Sequence, residues 1–414
     1  MYILPGYTDF YEANSVIYVT SKLHQNEIKL TDPKIQEEFR SIVKCGGCQN
    51  LSTPLTQFLH EQELLSTEAE IKCALKNAKQ LLNDSLLLTI MPTEGCNFRC
   101  PYCYEDHSPV SMSRKMLDQI LAFITQQAPL FKNVHISWFG GEPTLCKDTV
   151  LEVSSLVQSL QAKHSFNYVG GMTTNGYLLG INYFQQFYAA GITSYQITLD
   201  GWNHDQTRPH VSGKGTLQTI LKNLTALAAL PKEQYHFQII LRHNILAGDR
   251  DFSWYDYLYK LFGKDDRFSV LVYPVGNWGG ESVKELNLIN GTELNSLPLE
   301  HVSYLNKIGM KTENRGNHPF SKICYASYPH SMVFRANGKI EKCTLCLDHP
   351  KNLLGYLDQE KGVILDQEVN KLWSTADLKS ECYHCSDVLS CFNLRCKKAI
   401  LVDGQECACC SGSF

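Results

Sequence analysis

Short apolar segments alternate with amphipathic stretches through the middle of the chain. From Leu86 to about Gly280 there are six such apolar segments, LLLTI, NVHISWF, FNYVGG, SYQITLD, HFQIILR and FSVLVY. The stretch KMLDQILAFI between two of them has helical periodicity, and one of its faces carries Leu117, Ile120, Leu121 and Ile124. Strands that alternate with helices in this way predict parallel βα units, arranged as a partial barrel or as an open sheet.

The residues before this region predict a small α+β unit. Apolar clusters at 14–20 and 27–30 flank the polar turn LHQN, which is typical of a β-hairpin. The sequence then predicts three helix starts. Each has a capping residue that is followed either directly by a proline or, three positions later, by a glutamate. These starts are Asp32 with Pro33, Ser52 or Thr53 with Pro54, and Thr67 with Glu70.

Composition indicates a folded chain without a charged partner. Of the 414 residues, 43% are hydrophobic and 19% are charged, which excludes a disordered chain. The net charge of −4 provides no basic field for nucleic acid or an anionic membrane, and no apolar run approaches the about 18 residues of a membrane span. We therefore expect a soluble, cytoplasmic protein with neither nucleic acid nor a membrane as partner.

The 17 cysteines are unusual for such a protein. A reducing cytosol disfavours disulfides, so metal ligation is the better explanation. Three cysteines form a tight group near residue 100, ten lie between 324 and 410, and four are scattered: Cys45, Cys48, Cys73 and Cys146. The pair Cys45 and Cys48 has no partner pair and is predicted to be unligated.

The tight group, Cys96, Cys100 and Cys103, directly follows the first predicted strand. The other motifs GGEP, TNG and DG also follow strands, so all of them should meet at the carboxyl edge of the sheet. The spacing C-x3-C-x2-C can place three thiolates around one corner of a four-iron cube and leave the fourth iron open. A zinc site is the alternative, but zinc prefers four protein ligands and no nearby residue supplies an obvious fourth.

The string EGCNFRCPYCYE, followed by GGEP at 140–143, resembles the radical S-adenosylmethionine (radical SAM) enzymes. The resemblance implies that the open iron chelates S-adenosylmethionine and that an external one-electron donor, a flavodoxin or ferredoxin, triggers its cleavage to methionine and a 5′-deoxyadenosyl radical. It also implies cofactor contacts: Tyr102 near the adenine, the backbone of Gly140, Gly141 and Pro143 near the methionine moiety, Glu142 at its ammonium group, and Asn175, Thr198, Asp200 and Arg242 along the sugar and carboxylate. A segment with His204, Asp205 and Arg208 matches the family too and is expected to be structural.

The cysteine-rich end resembles the SPASM domain, which carries auxiliary clusters in radical SAM enzymes that modify peptides. The resemblance rests on Cys324, Gly338 and Cys343 and on the run Cys382-x2-Cys385-x5-Cys391. It implies two further [4Fe-4S] clusters, three in all. The first would take Cys324, Cys343 and Cys396. Cys346 is the predicted fourth ligand, and a cluster with one open iron is the alternative. The second would take Cys382, Cys385, Cys391 and one of Cys407, Cys409 and Cys410.

Two points in this region leave alternatives. The family usually has three residues, often with two glycines, before the next cysteine, whereas 392–395 make four here. Zinc ribbons at the pairs Cys343/Cys346 and Cys382/Cys385 are the competing interpretation.

The first segment resembles the winged-helix leader-binding domain of ribosomal peptide maturases, by the order of its elements. Such domains bind an extended leader peptide as an added strand. Residues 1–83 contain eight Lys and Arg against ten acids, which disfavours a nucleic-acid binder.

Together these features predict an α/β fold in three segments: a winged-helix leader-recognition domain at 1–84, a partial (β/α)6 TIM-like barrel at 85–310 and a SPASM iron–sulfur domain at 311–414. The predicted function is a radical SAM oxidoreductase that installs a thioether, carbon–carbon or carbon–oxygen cross-link in a ribosomally synthesised precursor peptide. An anaerobic sulfatase-type maturase, oxidising a Ser or Cys side chain, is opposed by the leader-binding segment and by Thr344 where that family has an acid. A non-catalytic metal-binding adaptor would leave C-x3-C-x2-C and GGEP unexplained.

Overall fold

The computed structural model describes residues 1–277, 282–313, 321–358 and 360–405. These residues form two compact units. The first comprises 1–84, 321–329 and 372–405, and the second comprises 85–277, 282–313, 330–358 and 360–371. The cysteine-rich end therefore contributes to both units, whereas the functional division into 1–84, 85–310 and 311–414 stays a prediction. None of the helices in the described ranges has the length and apolar character that a membrane crossing needs.

The amino-terminal part of the first unit contains a three-stranded antiparallel sheet, a two-stranded pair and three helices. In chain order the elements are β1 (Tyr2–Ile3), β2 (Thr8–Ala13), β3 (Val16–Ser21), β4 (Asn26–Leu30), α1 (Pro33–Lys44), α2 (Pro54–Glu61), β5 (Ser66–Thr67) and α3 (Glu68–Gln80). The sheet order is β2-β3-β4, and β1 pairs with β5. The three predicted helix starts are confirmed, because Asp32, Thr53 and Thr67 each accept hydrogen bonds from first-turn backbone N–H groups. The winged-helix assignment stays a prediction.

The second unit is built on six parallel strands, and these are the six that the sequence predicts. They are β6 (Ser85–Ile90), β7 (Asn133–Trp138), β8 (Asn167–Thr174), β9 (Ile192–Thr198), β10 (Gln238–Ile245) and β11 (Phe268–Pro274), paired in chain order. The helices between them and after them are α4 (Arg114–Gln127), α5 (Lys147–Gln161), α6 (Ile181–Ala189), α7 (His204–Thr207), α8 (Leu217–Ala228), α9 (Ser253–Phe262) and α10 (Glu293–Lys307). Leu117, Ile120 and Ile124 of α4 are buried as expected, while Leu121 is half-buried.

The sheet does not end at β6. Four more strands extend it beyond that edge: β12 (Ser331–Phe334), β13 (Lys339–Glu341), β14 (Leu353–Asp358) and β15 (Gly362–Leu365). Strand β12 runs parallel to β6, and the remaining neighbours are antiparallel. The sequence assigns these residues to a separate third domain, but they continue the same sheet. The physical reason is that β6 would otherwise expose a row of unpaired backbone groups, which β12 satisfies.

After β15 the described residues form three short helices, α11 (Gln367–Ser374), α12 (Val388–Cys391) and α13 (Lys397–Leu401). The last two lie in the first unit, where the two ends of the chain share one apolar core. This core joins residues of the amino-terminal segment to residues of the cysteine-rich segment: Ile3, Tyr7, Ile71, Leu75, Leu82, Tyr383, Val388, Leu389, Phe392 and Leu394. Gly6 N also donates to the Tyr383 carbonyl over 2.8 Å. Residues 1–84 and 372–405 therefore fold as one body.

Candidate functional site

Cys96, Cys100 and Cys103 lie in the loop between β6 and α4 and line one cavity of about 170 Å³. Residues from the carboxyl ends of β8, β9 and β10 and from the GGEP segment after β7 complete its wall, as predicted for parallel strands. Burial raises the pKa of the Cys96 and Cys103 thiols to about 12 and also raises that of Cys100. Thiolates in such surroundings need a cation to offset their charge, so the three residues fit an iron–sulfur cluster.

The two glycines of GGEP bring the segment after β7 against this cysteine loop. Gly141 N donates to the Thr93 carbonyl over 3.2 Å, and Glu142 N donates to the Gly95 carbonyl over 3.0 Å. A Cβ atom at Gly140, whose φ is +103°, would lie 2.5 Å from the Thr93 oxygen, and one at Gly141 would lie 2.2 Å from the Gly95 oxygen. The sequence assigns these glycines to the cofactor, and the structure gives them a contact with the protein backbone.

The segment that follows α7 makes a second set of hydrogen bonds to the cysteine loop. Arg99 N donates to the Pro209 carbonyl and Val211 N donates to the Asn97 carbonyl, both over 2.9 Å. The Asn175 amide Nδ2 donates to Asn97 Oδ1 over 2.7 Å, so this predicted cofactor residue also positions the cysteine loop. The loop is therefore held from both sides by backbone and amide contacts.

Glu142 is almost fully buried, at 1% exposure, and accepts hydrogen bonds from protein groups. Its Oε1 accepts from Thr144 N at 3.0 Å, from the Thr144 hydroxyl at 2.5 Å and from the Thr174 hydroxyl at 2.6 Å. Its Oε2 accepts from Asn175 N at 2.7 Å. Burial raises the pKa of this carboxyl, although the four donors act in the opposite direction. Glu142 thus connects the segments around Thr144, Thr174 and Asn175, and its Oε2 can accept one further hydrogen bond.

Replacing Glu142 by glutamine is expected to weaken S-adenosylmethionine binding by about tenfold to a hundredfold without lowering iron content. The reason is that a charge-assisted hydrogen bond is lost while the side-chain shape is kept. Equilibrium dialysis with the cofactor and an iron assay measure the two quantities. Glu152→Gln, on the exposed side of α5, is the control. Equal affinity in the Glu142 variant and the parent would contradict the role of this carboxylate.

Tyr102 is the centre of a polar network in the wall of the cavity. Its hydroxyl donates to Asp200 Oδ2 and accepts from Arg208 Nη1 at 2.8 Å and from Asn244 Nδ2 at 3.3 Å. Burial raises the pKa of Tyr102 well above its ordinary value. The sequence predicts a structural role for Arg208, and of the motif 241–244 only Arg242, not Asn244, is among the predicted cofactor contacts. The signal for Asn244 is its place at the end of β10, two residues after Arg242.

The remaining predicted contacts are placed as follows. Thr198 and Arg242 line the cavity, and the Arg242 guanidinium lies over the Tyr273 ring at 4.4 Å. Pro143 is buried at the start of a 3-10 turn (Pro143–Cys146). Asp205 caps α8 through the Thr216 and Leu217 N–H groups, which supports its structural role. A second cavity of about 530 Å³ shares Tyr102 and Asn244 with the first and is lined also by Asp200, Trp202, His243 and Asp249.

The other cysteines are distributed over both units. Cys343 and Cys346 lie in the second, on the loop between β13 and β14, where the Asn352 amide donates to both of their carbonyls over 2.8 and 3.0 Å. The first unit contains Cys324, Cys382, Cys385, Cys391 and Cys396, and none of the cysteines that the structure describes forms a disulfide. Cys407, Cys409 and Cys410 lie outside the described residues.

Ligation of both auxiliary clusters stays a prediction. In the described part of the chain, no group of three or more His, Cys, Asp or Glu side chains is arranged to hold a single metal ion. Phe392 and Asn393 have φ of 47° and 57°, so left-handed backbone occurs within 392–395, the stretch that is one residue longer than the predicted SPASM pattern.

Two buried histidines make the second unit sensitive to acid. Burial lowers the pKa of both His204 and His243 to about 4. His204 Nδ1 accepts from Asp200 N, and His243 Nδ1 lies 2.7 Å from the Tyr255 hydroxyl. Because an unfolded histidine has a pKa of about 6.5, the unfolded state binds more protons, and stability present above about pH 6.5 is lost as the pH falls toward 4.

We expect a fall in the thermal midpoint from pH 7 to pH 4, corresponding to up to about 3 kcal/mol for each of these histidines. Calorimetry over this range measures the midpoint. The same slope should persist in His164→Gln, which changes an exposed histidine. A midpoint independent of pH would show that neither histidine is kept neutral by burial.

Comparison with known proteins agrees with this geometry. A model of the radical SAM superfamily matches residues 90–244. The GTP 3′,8-cyclase of Haemophilus ducreyi is 32% identical over 170 residues, 40% of this chain and 47% of that protein. The one from Psychromonas ingrahamii is 26% identical over 250 residues, 54% of this chain and 68% of that protein. The chain spans about half the length of most curated relatives it matches.

Solved structures give the same fold. Native anSMEcpe with bound AdoMet and Cp18Cys peptide has a TM-score of 0.53 at 17% identity, over 76% of this chain and 89% of that one. Streptococcus suis SuiB bound to precursor peptide SuiA has a TM-score of 0.51 at 15% identity, over 94% of both chains. Identities this low concern the fold alone. The superfamily match, however, spans the loop with Cys96, Cys100 and Cys103 and the strand ends that surround it, so residues 90–244 match the radical SAM superfamily at the site itself.

Proposed function

We propose that this protein installs an intramolecular cross-link in a ribosomally synthesised precursor peptide. The observation that carries the proposal is the convergence of Cys96, Cys100 and Cys103 on one buried cavity beside the Tyr102 network. When bound there, a four-iron cluster and S-adenosylmethionine supply a 5′-deoxyadenosyl radical that removes a hydrogen atom from the substrate.

The chain's own residues have distinct tasks at this site. The three cysteine thiolates ligate the cluster, and the paired contacts of Gly141 and Glu142 fix their loop. Glu142 Oε2 accepts one protein donor and has capacity for the ammonium group of the cofactor. Tyr102 and Asn244 line both cavities, so the larger one offers room for the adenosine moiety.

The peptide part of the proposal rests on the first unit. Strand β2 is an edge of the three-stranded sheet, and its Phe10 and Tyr11 are 44% and 52% exposed. An edge strand with exposed aromatic side chains can accept an added strand from a leader peptide. The similarity in fold to SuiB, a protein seen with its precursor peptide, favours the same class of substrate.

Closing a cross-link removes two hydrogens from the peptide. One leaves as an atom, and the other leaves as a proton and an electron, so an electron acceptor is required. The cysteine-rich end is proposed to supply it as two auxiliary [4Fe-4S] clusters, three clusters in all with the radical SAM cluster. A flavodoxin or ferredoxin is the proposed external donor for the initial reduction.

A nucleotide substrate is the second candidate, because relatives named GTP 3′,8-cyclase match 40% of this chain at 32% identity. The peptide is preferred because residues 1–84 contain a three-stranded sheet with an exposed edge strand, in a different compact unit from the cysteine cavity.

The experiment uses the full chain, reconstituted anaerobically with iron and sulfide. It is incubated with S-adenosylmethionine and dithionite, together with a peptide encoded beside the gene or with GTP. We expect 5′-deoxyadenosine in every arm and loss of two hydrogens from the peptide, with missing fragment ions between the joined residues. A hydrazide-reactive aldehyde would favour the sulfatase-type alternative, conversion of GTP alone would favour the nucleotide, and no 5′-deoxyadenosine would reject the radical chemistry.

A further inference from the structure

One buried arginine contacts carboxylates from two separate cysteine loops. Arg335 lies in the turn between β12 and β13 and is 5% exposed. Its Nε and Nη2 atoms lie 2.9 and 2.6 Å from Glu94 Oε1. Glu94 precedes Cys96 by two residues, so one side of the guanidinium is fixed to the loop of the radical SAM cysteines.

The other side of the guanidinium faces the loop of Cys343 and Cys346. Arg335 Nη1 lies 2.7 Å from Asp348 Oδ2 and 3.6 Å from Glu341 Oε2. Glu341 Oε1 in turn accepts from Asp348 N over 2.7 Å. Glu341 precedes Cys343 by two residues, and Asp348 follows Cys346 by two. Arg335 therefore contacts three carboxylates, and each of them lies two residues from a cysteine.

The charges around Arg335 make this contact difficult to replace. Glu341 is completely buried and Glu94 is 9% exposed, so neither carboxylate is well solvated. Lys339 pairs with Asp348 at the exposed side of the cluster and does not reach Glu94 in any described contact. A planar guanidinium can bind both sides at once, whereas a lysine ammonium reaches only one.

We propose that Arg335 is a positioning residue that sets the Cys343–Cys346 loop at a fixed distance from the Cys96–Cys103 loop. The coupling of the two loops follows from the ion pairs alone. Its consequence, a constant separation between electron-transfer groups at the two loops, rests on the proposed function.

The first test measures hydrogen–deuterium exchange without any cofactor. Arg335→Gln should raise exchange in residues 93–105 and 341–352 together, by about a hundredfold, since breaking a buried ion pair leaves charges uncompensated. Glu94→Gln, a milder change, should raise exchange in 341–352 although it lies in the other loop. Arg267→Gln removes a comparably buried arginine paired with Asp265 in the same unit and should leave both loops unchanged.

The second test uses the reconstituted enzyme. Arg335→Gln should shift the electron paramagnetic resonance spectrum and lower the ratio of product to 5′-deoxyadenosine, and Arg335→Lys should restore neither fully. The proposal would be overturned if exchange in the Arg335 variant rose in only one of the two segments and exchange in the Glu94 variant rose only in 93–105. It would also be overturned if Arg267→Gln raised exchange in both segments. A parent that makes no 5′-deoxyadenosine would reject the proposed function, while the exchange experiment still decides whether Arg335 couples the loops.

Discussion

Replacement of Cys96, Cys100 and Cys103 together by alanine is expected to abolish cleavage of S-adenosylmethionine, with at least a roughly thousandfold loss of 5′-deoxyadenosine. Among the described residues, these are the only cysteines that line the cavity. Without them the cluster would have no protein ligand there, so no electron would reach S-adenosylmethionine to cleave it. Chromatography measures the nucleoside, and an iron assay measures the iron content, which should fall by about four irons per chain.

The matched control is Cys146→Ala. This thiol is half-buried in the same unit but lies in the short turn after GGEP and not in the cavity wall. Its replacement should keep both nucleoside yield and iron content. Retained 5′-deoxyadenosine in the triple variant would refute the assignment of the three cysteines, and an equal loss in Cys146→Ala would show that the effect is not specific to the loop.

Deletion of residues 1–84 is expected to unfold the carboxyl-terminal segment 372–405. The amino-terminal residues Ile3, Tyr7, Ile71, Leu75 and Leu82 form half of the core that this segment shares. Each contributes about 1.5–3 kcal/mol when buried, or about 10 kcal/mol together, which approaches the whole stability of a domain. The apolar core of the second unit contains no residue from 1–84, so that unit should stay folded and cleave the cofactor without substrate.

Hydrogen exchange at 372–405 and the iron content of the truncated chain measure this outcome. The control is the double change Phe10→Ser and Tyr11→Ser in full-length protein, at exposed positions of β2. It should keep the shared core and impair only binding of the precursor. Protection of 372–405 in the truncated chain would show that the carboxyl-terminal segment folds without the shared core.

The elements that the sequence predicts correctly are those formed by interactions between residues close together in the chain. The six parallel strands follow from short apolar runs, and the helix starts at Asp32, Thr53 and Thr67 follow from caps that act within three residues. Cys96, Cys100 and Cys103 are so close in sequence that a single loop had to bring them together. Their cavity was therefore predictable once the strand order was known.

The partners of individual site residues were less predictable. The GGEP glycines contact Thr93 and Gly95, which are distant in sequence, and no local pattern distinguishes this backbone contact from a cofactor contact. Arg208 joins the Tyr102 network only because α7 and the cysteine loop meet in the fold. Its charge is buried, and the groups near it, Cys100, Tyr102 and Asp200, come from two different loops, which no spacing rule encodes.

The sequence by itself determined the parallel strands, the helix caps and the loop of three cysteines, because each rests on periodicity or on hydrogen bonds between neighbouring residues. Only the tertiary structure decided how the cysteine-rich end is divided. Residues 331–365 extend the sheet of six parallel strands, whereas 372–405 share a core with the amino terminus. The position of each segment depends on the otherwise unpaired edge of β6 and on apolar faces that are far apart in the chain. These long-range contacts form only when the whole molecule has folded.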